Sequence, residues 1–424
     1  MRLALGAIVG AMLLAGCGGN AATSAGAAAA ALAPADAKAY AELDTNLDSA
    51  QWKQAQALLD RFPKRPQLVD ELNKQLRQHQ LEWSRDVDPA LGDRLVLVWL
   101  GQTESDAVLL TQADDDAKFQ ALVRKVAEKP VVFGEVDGWS AAAESQSAID
   151  RLGGSGGSLE DDDAFSTALA KLPADRLGFG WARGDALPKE RAKVDFAWFA
   201  GALEARDDGA AATIVTSLAG GSAGAAYDSK LADLAPADAL AFLSFDGSSL
   251  RANASALPDL PGVLGGPVKQ LLEQVNGEAA LWVRPGLGIP QVTLVADVQD
   301  PATAAAAVRE LLRDTPLGAK VGVVDGRLVA TNAASPEAAL GGSDHLADSA
   351  SFQEAAKVAG MPDQTTGFLF VNVADAVPLL SLAGLAGAEI PKELIDNLRP
   401  IRSVVAWGEP EGTTSTNTIF VHVE

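Results

Sequence analysis

Cysteine is almost absent from this chain. Its 424 residues contain one, Cys17, so no intrachain disulfide can form and packing must hold the fold together. Histidine is nearly as scarce. None of the three, His79, His345 and His422, stands at zinc-ligand spacing from another histidine or from the cysteine, so no metal site is expected. Basic residues are outnumbered, 34 Lys and Arg against 56 Asp and Glu, for a net charge of −22. Phosphate backbones repel such a chain, and no basic cluster offsets the repulsion, which argues against a nucleic-acid partner. The glycine-rich loops lack the Gly-Lys-Ser/Thr ending of a phosphate-binding loop, and the strand-helix alternation of a nucleotide-binding fold is missing, so no cofactor is expected. Beyond the N-terminus no apolar run reaches the roughly 18 residues that cross a bilayer.

What is present begins at that N-terminus. Met1-Arg2 is a short positive start, Leu3 to Leu14 is an apolar stretch of signal-peptide length, and Leu14-Ala15-Gly16-Cys17 has the form of a bacterial lipobox. Small residues before the cysteine suit a narrow peptidase cleft, and the Cys17 thiol is the nucleophile that takes up diacylglycerol. Residues 1–17 therefore read as a lipoprotein signal. Two acyl chains hold a soluble body to a membrane stably, at about 0.8 kcal/mol per buried CH₂. The expected location is outside the cytoplasm, anchored to the cell membrane. Residues 18–31, almost wholly Gly, Ala, Ser, Thr and Asn, read as a flexible tether.

The body repeats itself. Leu32-Ala-Pro-Ala-Asp-Ala returns as Leu234-Ala-Pro-Ala-Asp-Ala, displaced by 202. The hairpin signals Asp137-Gly138 and Asp325-Gly326 are displaced by 188, Phe165 and Phe352 by 187, and Pro173 and Pro362 by 189. A nearly constant offset after one insertion predicts two homologous modules, residues 32–218 and 234–424, joined by a Gly- and Ala-rich linker over 219–233. Strand patterns joined by tight turns, with helices between them, predict an α+β fold: a mainly antiparallel sheet covered by helices in each module. Trp99, Trp198, Trp282 and Trp407 fall in strand patterns and are expected in the core.

The chain resembles the bacterial lipoprotein family of the domain-of-unknown-function 3352 type. The resemblance is carried by the Leu-Ala-Pro-Ala-Asp openings, Arg61-Phe62-Pro63, Asp88-Pro89-Ala90-Leu91-Gly92, Val136-Asp137-Gly138 and Leu172-Pro173-Ala174-Asp175-Arg176. It implies a lipid-anchored envelope protein with a repeated α+β body, and it assigns no activity.

Candidate chemistry is sparse. Ser155 and Ser222 each sit in a Gly-x-Ser-x-Gly pattern, but neither follows the strand–turn–helix order of a nucleophile elbow. The best hydrolase reading would join Ser222 to an Asp and to His345 or His422. His79 belongs to a polar helical face, and His422, on the terminal strand, is expected to face water. Asp114-Asp115-Asp116 and Glu160-Asp161-Asp162-Asp163 lack calcium-loop spacing and precede helices, where carboxylates cap free amides. Ala376 to Ile390 is apolar around most of its circumference, so it reads as a buried helix or as one wall of an apolar groove. The expectation is a non-catalytic binding or scaffolding protein of the envelope, its partner another envelope protein or an apolar ligand such as a lipid. A carrier of that ligand and, behind it, a serine hydrolase are the alternatives.

Overall fold

Both Asp-Gly hairpins form. In this computed structural model Asp137 and Gly138 have φ of 46° and 79°, and Asp325 and Gly326 have 48° and 80°. Two successive positive φ values make the turn whose twist matches the flanking strands, and glycine accepts that conformation without a steric penalty. The structure describes residues 27–101, 103–186, 195–247, 271, 273–286, 289–312, 318–385 and 390–424. It divides after Gly221 into two compact units.

The described strands of the first unit are β1 (Ala39–Asp44), β2 (Arg94–Trp99), β3 (Ala107–Thr111), β4 (Val132–Val136), β5 (Trp139–Ala143), β6 (Gly178–Arg183), β7 (Phe196–Arg206) and β8 (Gly209–Leu218). They pair antiparallel in the order β8-β7-β6-β1-β2-β3-β5-β4. The helices between them are α1 (Ala50–Leu59), α2 (Arg65–Gln78), α3 (Asp116–Val126), α4 (Gln146–Ile149) and α5 (Asp163–Ala170).

The second unit contributes β9 (Ala241–Asp246), β10 (Val275–Arg284), β11 (Gln291–Val298), β12 (Lys320–Val324), β13 (Arg327–Thr331), β14 (Gly367–Asn372), β15 (Ile401–Glu411) and β16 (Thr414–Val423). These run antiparallel in the order β16-β15-β14-β9-β10-β11-β13-β12, the same pattern by position as in the first unit. Its described helices are α6 (Pro301–Leu312), α7 (Ala350–Ala359), α8 (Val373–Leu385) and α9 (Lys392–Leu398). The α+β class with antiparallel strands is as the sequence predicts.

Side chains alternate across a strand, so each sheet has two faces. On one face of the first unit Tyr40, Val96, Val98, Phe179 and Trp181 meet Ile149 of α4 and Phe165 of α5. Phe165 stands edge-on to Tyr40 and Trp181, with ring centroids 5.5 and 5.4 Å apart. In the second unit Phe242, Phe368 and Phe370 occupy the corresponding face with Phe352 of α7. On the other face α3 covers only the far end of the first sheet, with Phe119 6.3 Å from Phe133.

Three expectations need correction. Ala29 and Ala30, assigned by composition to the tether, are fully buried in the first core. Leu231 and Ala232, assigned to the linker, are buried too, and Tyr227 bridges to Thr365 within the second unit. Small residues look like linker in sequence, but they also let a segment lie close against a sheet. The segment from Ala376 is not a buried helix: Val377 of α8 packs with Ile395, while Leu382 is 60% exposed. Residues 267–275 also carry a helical pattern in the sequence; most of them lie outside the described residues, and Val275 already opens β10.

Candidate functional site

Where no described helix covers this face, the first sheet forms an apolar groove of about 470 Å³. Register builds it. Leu97 of β2 pairs with Ala41 of β1, Ala41 with Gly180 of β6, Gly180 with Gly201 of β7, and Gly201 with Ile214 of β8. All five point to the same face, so the row runs across the strands from a leucine to an isoleucine over a floor of Ala, Gly and Gly. Four strand spacings give it a length of about 19 Å. Leu43, Leu95, Leu177 and Leu203 line its flank. Leu203 and Ile214 remain 58% and 44% exposed. Large apolar side chains gathered around a depression in this way mark binding surfaces on soluble domains.

A third glycine of the groove, Gly178, is held by packing, since a Cβ there would meet the Glu42 carbonyl oxygen at 2.9 Å, but nothing nearby demands glycine at the two floor positions. A Cβ at Gly180 would meet its nearest atom, the Tyr40 carbonyl oxygen, at 3.8 Å, and one at Gly201 would meet the Thr213 carbonyl oxygen at 3.4 Å. Both are ordinary contact distances, and neither residue has a positive φ. Strand glycines lose entropy and pack poorly, so their effect here is to leave the floor empty. Sequence reading missed the groove because Gly180 and Gly201 become neighbours only through the pairing of β6 with β7. The visible signal was small residues inside strand patterns, alternating with large ones in Gly-Phe-Gly-Trp over 178–181 and consecutive in Ala-Gly-Ala over 200–202.

Buried polar chemistry lies near the other face. The Glu42 carboxylate accepts a hydrogen bond from the Tyr40 hydroxyl at 2.7 Å and pairs with Arg94. Burial, then the adjacent Glu42 charge, pushes the Tyr40 hydroxyl well above its ordinary pKa. In the second unit Glu278 accepts from the Ser244 hydroxyl at 2.7 Å, from the amides of Lys230 and Leu231 at 2.8 and 3.0 Å, and from Ser229. Tyr227, 2.7 Å from Ser244, is likewise pushed up by burial. In the second unit these bonds tie the leading segment to its sheet. Both carboxylates are occupied by structural donors.

The residues singled out in the sequence do not converge. Cys17 lies outside the described residues. Ser222 is exposed, and its hydroxyl accepts from the Gly224 amide at 3.3 Å. Ser155 is exposed in a turn, and His79 closes the C-terminus of α2. His345 bridges to Pro236 by its backbone, with Nδ1 buried and unpaired. His422 does not face water; it is 6% exposed on the packed face, its ring 6.5 Å from Phe420. It pairs across strands with Ser403, whose buried hydroxyl has no hydrogen-bond partner, so this Ser and His are not coupled. The acidic runs act as caps: Asp115 accepts from the Lys118 amide at 3.1 Å and Asp162 from the Phe165 amide at 2.9 Å. Among the described residues no cluster of His, Cys, Asp or Glu could hold a metal, and no helix is long and apolar enough to cross a membrane.

No family model, no curated protein and no solved structure matches the chain, so the family resemblance rests on its short motifs alone.

Proposed function

We propose that this chain is an exported bacterial lipoprotein, held to the cell membrane through Cys17, whose body binds an apolar ligand without catalysis. The observation that carries this reading is the groove of the first unit, open, apolar and floored by two glycines that packing does not require. Its volume lies within the range of small-molecule sites. The carrier expected as an alternative is the reading this groove favours, with its site in the first unit rather than beneath the helices near Leu379 to Ile390. Attachment at Cys17 would bring the groove to a membrane surface rich in such ligands.

We also propose that the two units descend from one module by tandem duplication. Strand order supports this, and so do individual bonds. The Leu159 amide donates to the Ala33 carbonyl as Leu346 donates to Ala235, and Gly153 donates to Leu32 as Gly341 donates to Leu234. The pairing irregularity beside Phe196 recurs beside Ile401. Membership of the domain-of-unknown-function 3352 lipoproteins is proposed on the quoted motifs.

Two measurements test the functional reading. Replacing Cys17 by serine should move the protein from the membrane fraction to the soluble one; retention in the membrane contradicts the anchor. Anilinonaphthalene sulfonate should fluoresce on the lipid-free body, and Ile214→Lys should diminish the signal. Silence of the dye contradicts an open apolar site.

A further inference from the structure

We propose that the groove takes the single acyl chain of a one-tailed amphiphile, laid across the strands with its polar end in solvent. This rests on the reading of the groove as an apolar site and adds the class of ligand. Three features select a hydrocarbon chain. The groove is lined almost wholly by carbon, so a ligand with polar groups along its length would lose their hydration without return. An extended peptide is such a ligand. It would find no backbone partners on this floor, because β1, β6 and β7 already pair with a neighbour on each side. A helix satisfies its own backbone but is about 10–12 Å wide, whereas side-chain rows on a strand face recur about every 7 Å.

The count of chains follows from the same geometry. The floor Ala41-Gly180-Gly201 is one row closed at its ends by Leu97 and Ile214, and in the row beside it Leu43 and Leu203 stand on either side of Gly178 and wall the floor. One chain fills it. The second tail of a bilayer phospholipid would stay in water, at a loss of about 0.8 kcal/mol per CH₂ left unburied. The matching row of the second unit reads Leu281-Leu243-Leu369-Ala406-Ile419. Its ends are the same, but leucines stand where the first unit has Ala41 and Gly180. Selectivity is therefore assigned to Ala41, Gly180 and Gly201.

The test uses the whole body without its lipid, residues 18–424, in detergent-free buffer. Binding of cis-parinaric acid is followed by fluorescence, with palmitate, lysophosphatidylcholine, cholesterol and dioleoyl phosphatidylcholine vesicles as competitors, and anilinonaphthalene sulfonate as a general apolar probe. Palmitate and lysophosphatidylcholine should displace the polyene acid; cholesterol and the two-tailed lipid should not. Gly201→Leu should weaken binding about tenfold or more with an unchanged thermal midpoint. Ile214→Lys, at an exposed position, should do the same if the glycine variant folds poorly. Dye binding without acyl binding, or equal competition by cholesterol, overturns the acyl proposal while leaving an apolar site. Failure of both probes overturns the site as well. Acyl binding that neither variant alters places the ligand elsewhere and overturns the assignment.

Discussion

Two rows of five residues occupy the same positions in the two units, and only one leaves a groove. Leu97-Ala41-Gly180-Gly201-Ile214 is hollow in the middle; Leu281-Leu243-Leu369-Ala406-Ile419 is filled. The second unit also places α8 and α9 over Val371 and Val404, on the same face as Leu369. A shared strand order thus fixes where a site can lie, and the side chains on its floor decide whether one is there. The buried acids make the same point, since Glu42 is on β1 and Glu278 on β10, each drawing on different donors.

The largest effect on stability should come from Glu278→Ala. It leaves the buried amide of Leu231 without an acceptor and takes from Ser244 its bond to the carboxylate, leaving that hydroxyl only Tyr227, a loss on the order of 3 kcal/mol. Urea denaturation checks it, and a change below about 1 kcal/mol would mean that water replaces the carboxylate easily. Arg183→Met comes next, because Arg183 ties the carbonyls of Ala35 and Ala37 to Asp162 in the first unit. The expected loss is about 2 kcal/mol, whereas Asn372→Ala at the matching place in the second unit, bonded to Asp375, should lose about 1 kcal/mol.

A smaller effect depends on pH. Burial pushes the Asp162 carboxyl up, but its bonds to Arg183 and to the Phe165 amide outweigh burial and hold it below the usual range. Its folded value is thus lower than its unfolded value of about 3.9. The stabilisation is complete above the unfolded value and is lost as pH falls through the lowered one. As pH falls below about 4 the parent should lose stability faster than Arg183→Met; parallel curves would remove the pair from the account. The smallest effect is expected from Gly180→Leu, a stability change within about 1 kcal/mol, since nothing crowds its Cβ. A larger destabilisation would show that glycine is needed for packing there.

Much of this architecture was legible in the chain. The Asp-Gly turns, the caps at Asp115 and Asp162 and the β7–β8 and β15–β16 hairpins are local events, decided by residues a few positions apart. Offsets between the halves were legible because insertions fall between elements. Burial of Ala29 and Ala30 was hidden, since alanine and glycine runs read as tether until another surface is set against them. The groove was hidden for a related reason. Its floor is three residues from strands far apart in sequence, and an absent side chain leaves no hydrophobic pattern to follow. His422 was misread because the last strand of the chain turns a polar residue toward the packed face.

The most direct test of the central claim is photolabelling. A long-chain fatty acid bearing a diazirine would be crosslinked to the lipid-free body and the labelled peptides mapped by mass spectrometry. Labels should fall on the peptides that carry Leu43, Leu95, Leu203 and Ile214, and should vanish in Gly201→Leu. Labels on Leu243, Leu281 and Ile419 instead, or on both rows alike, would contradict the division of roles between the two units.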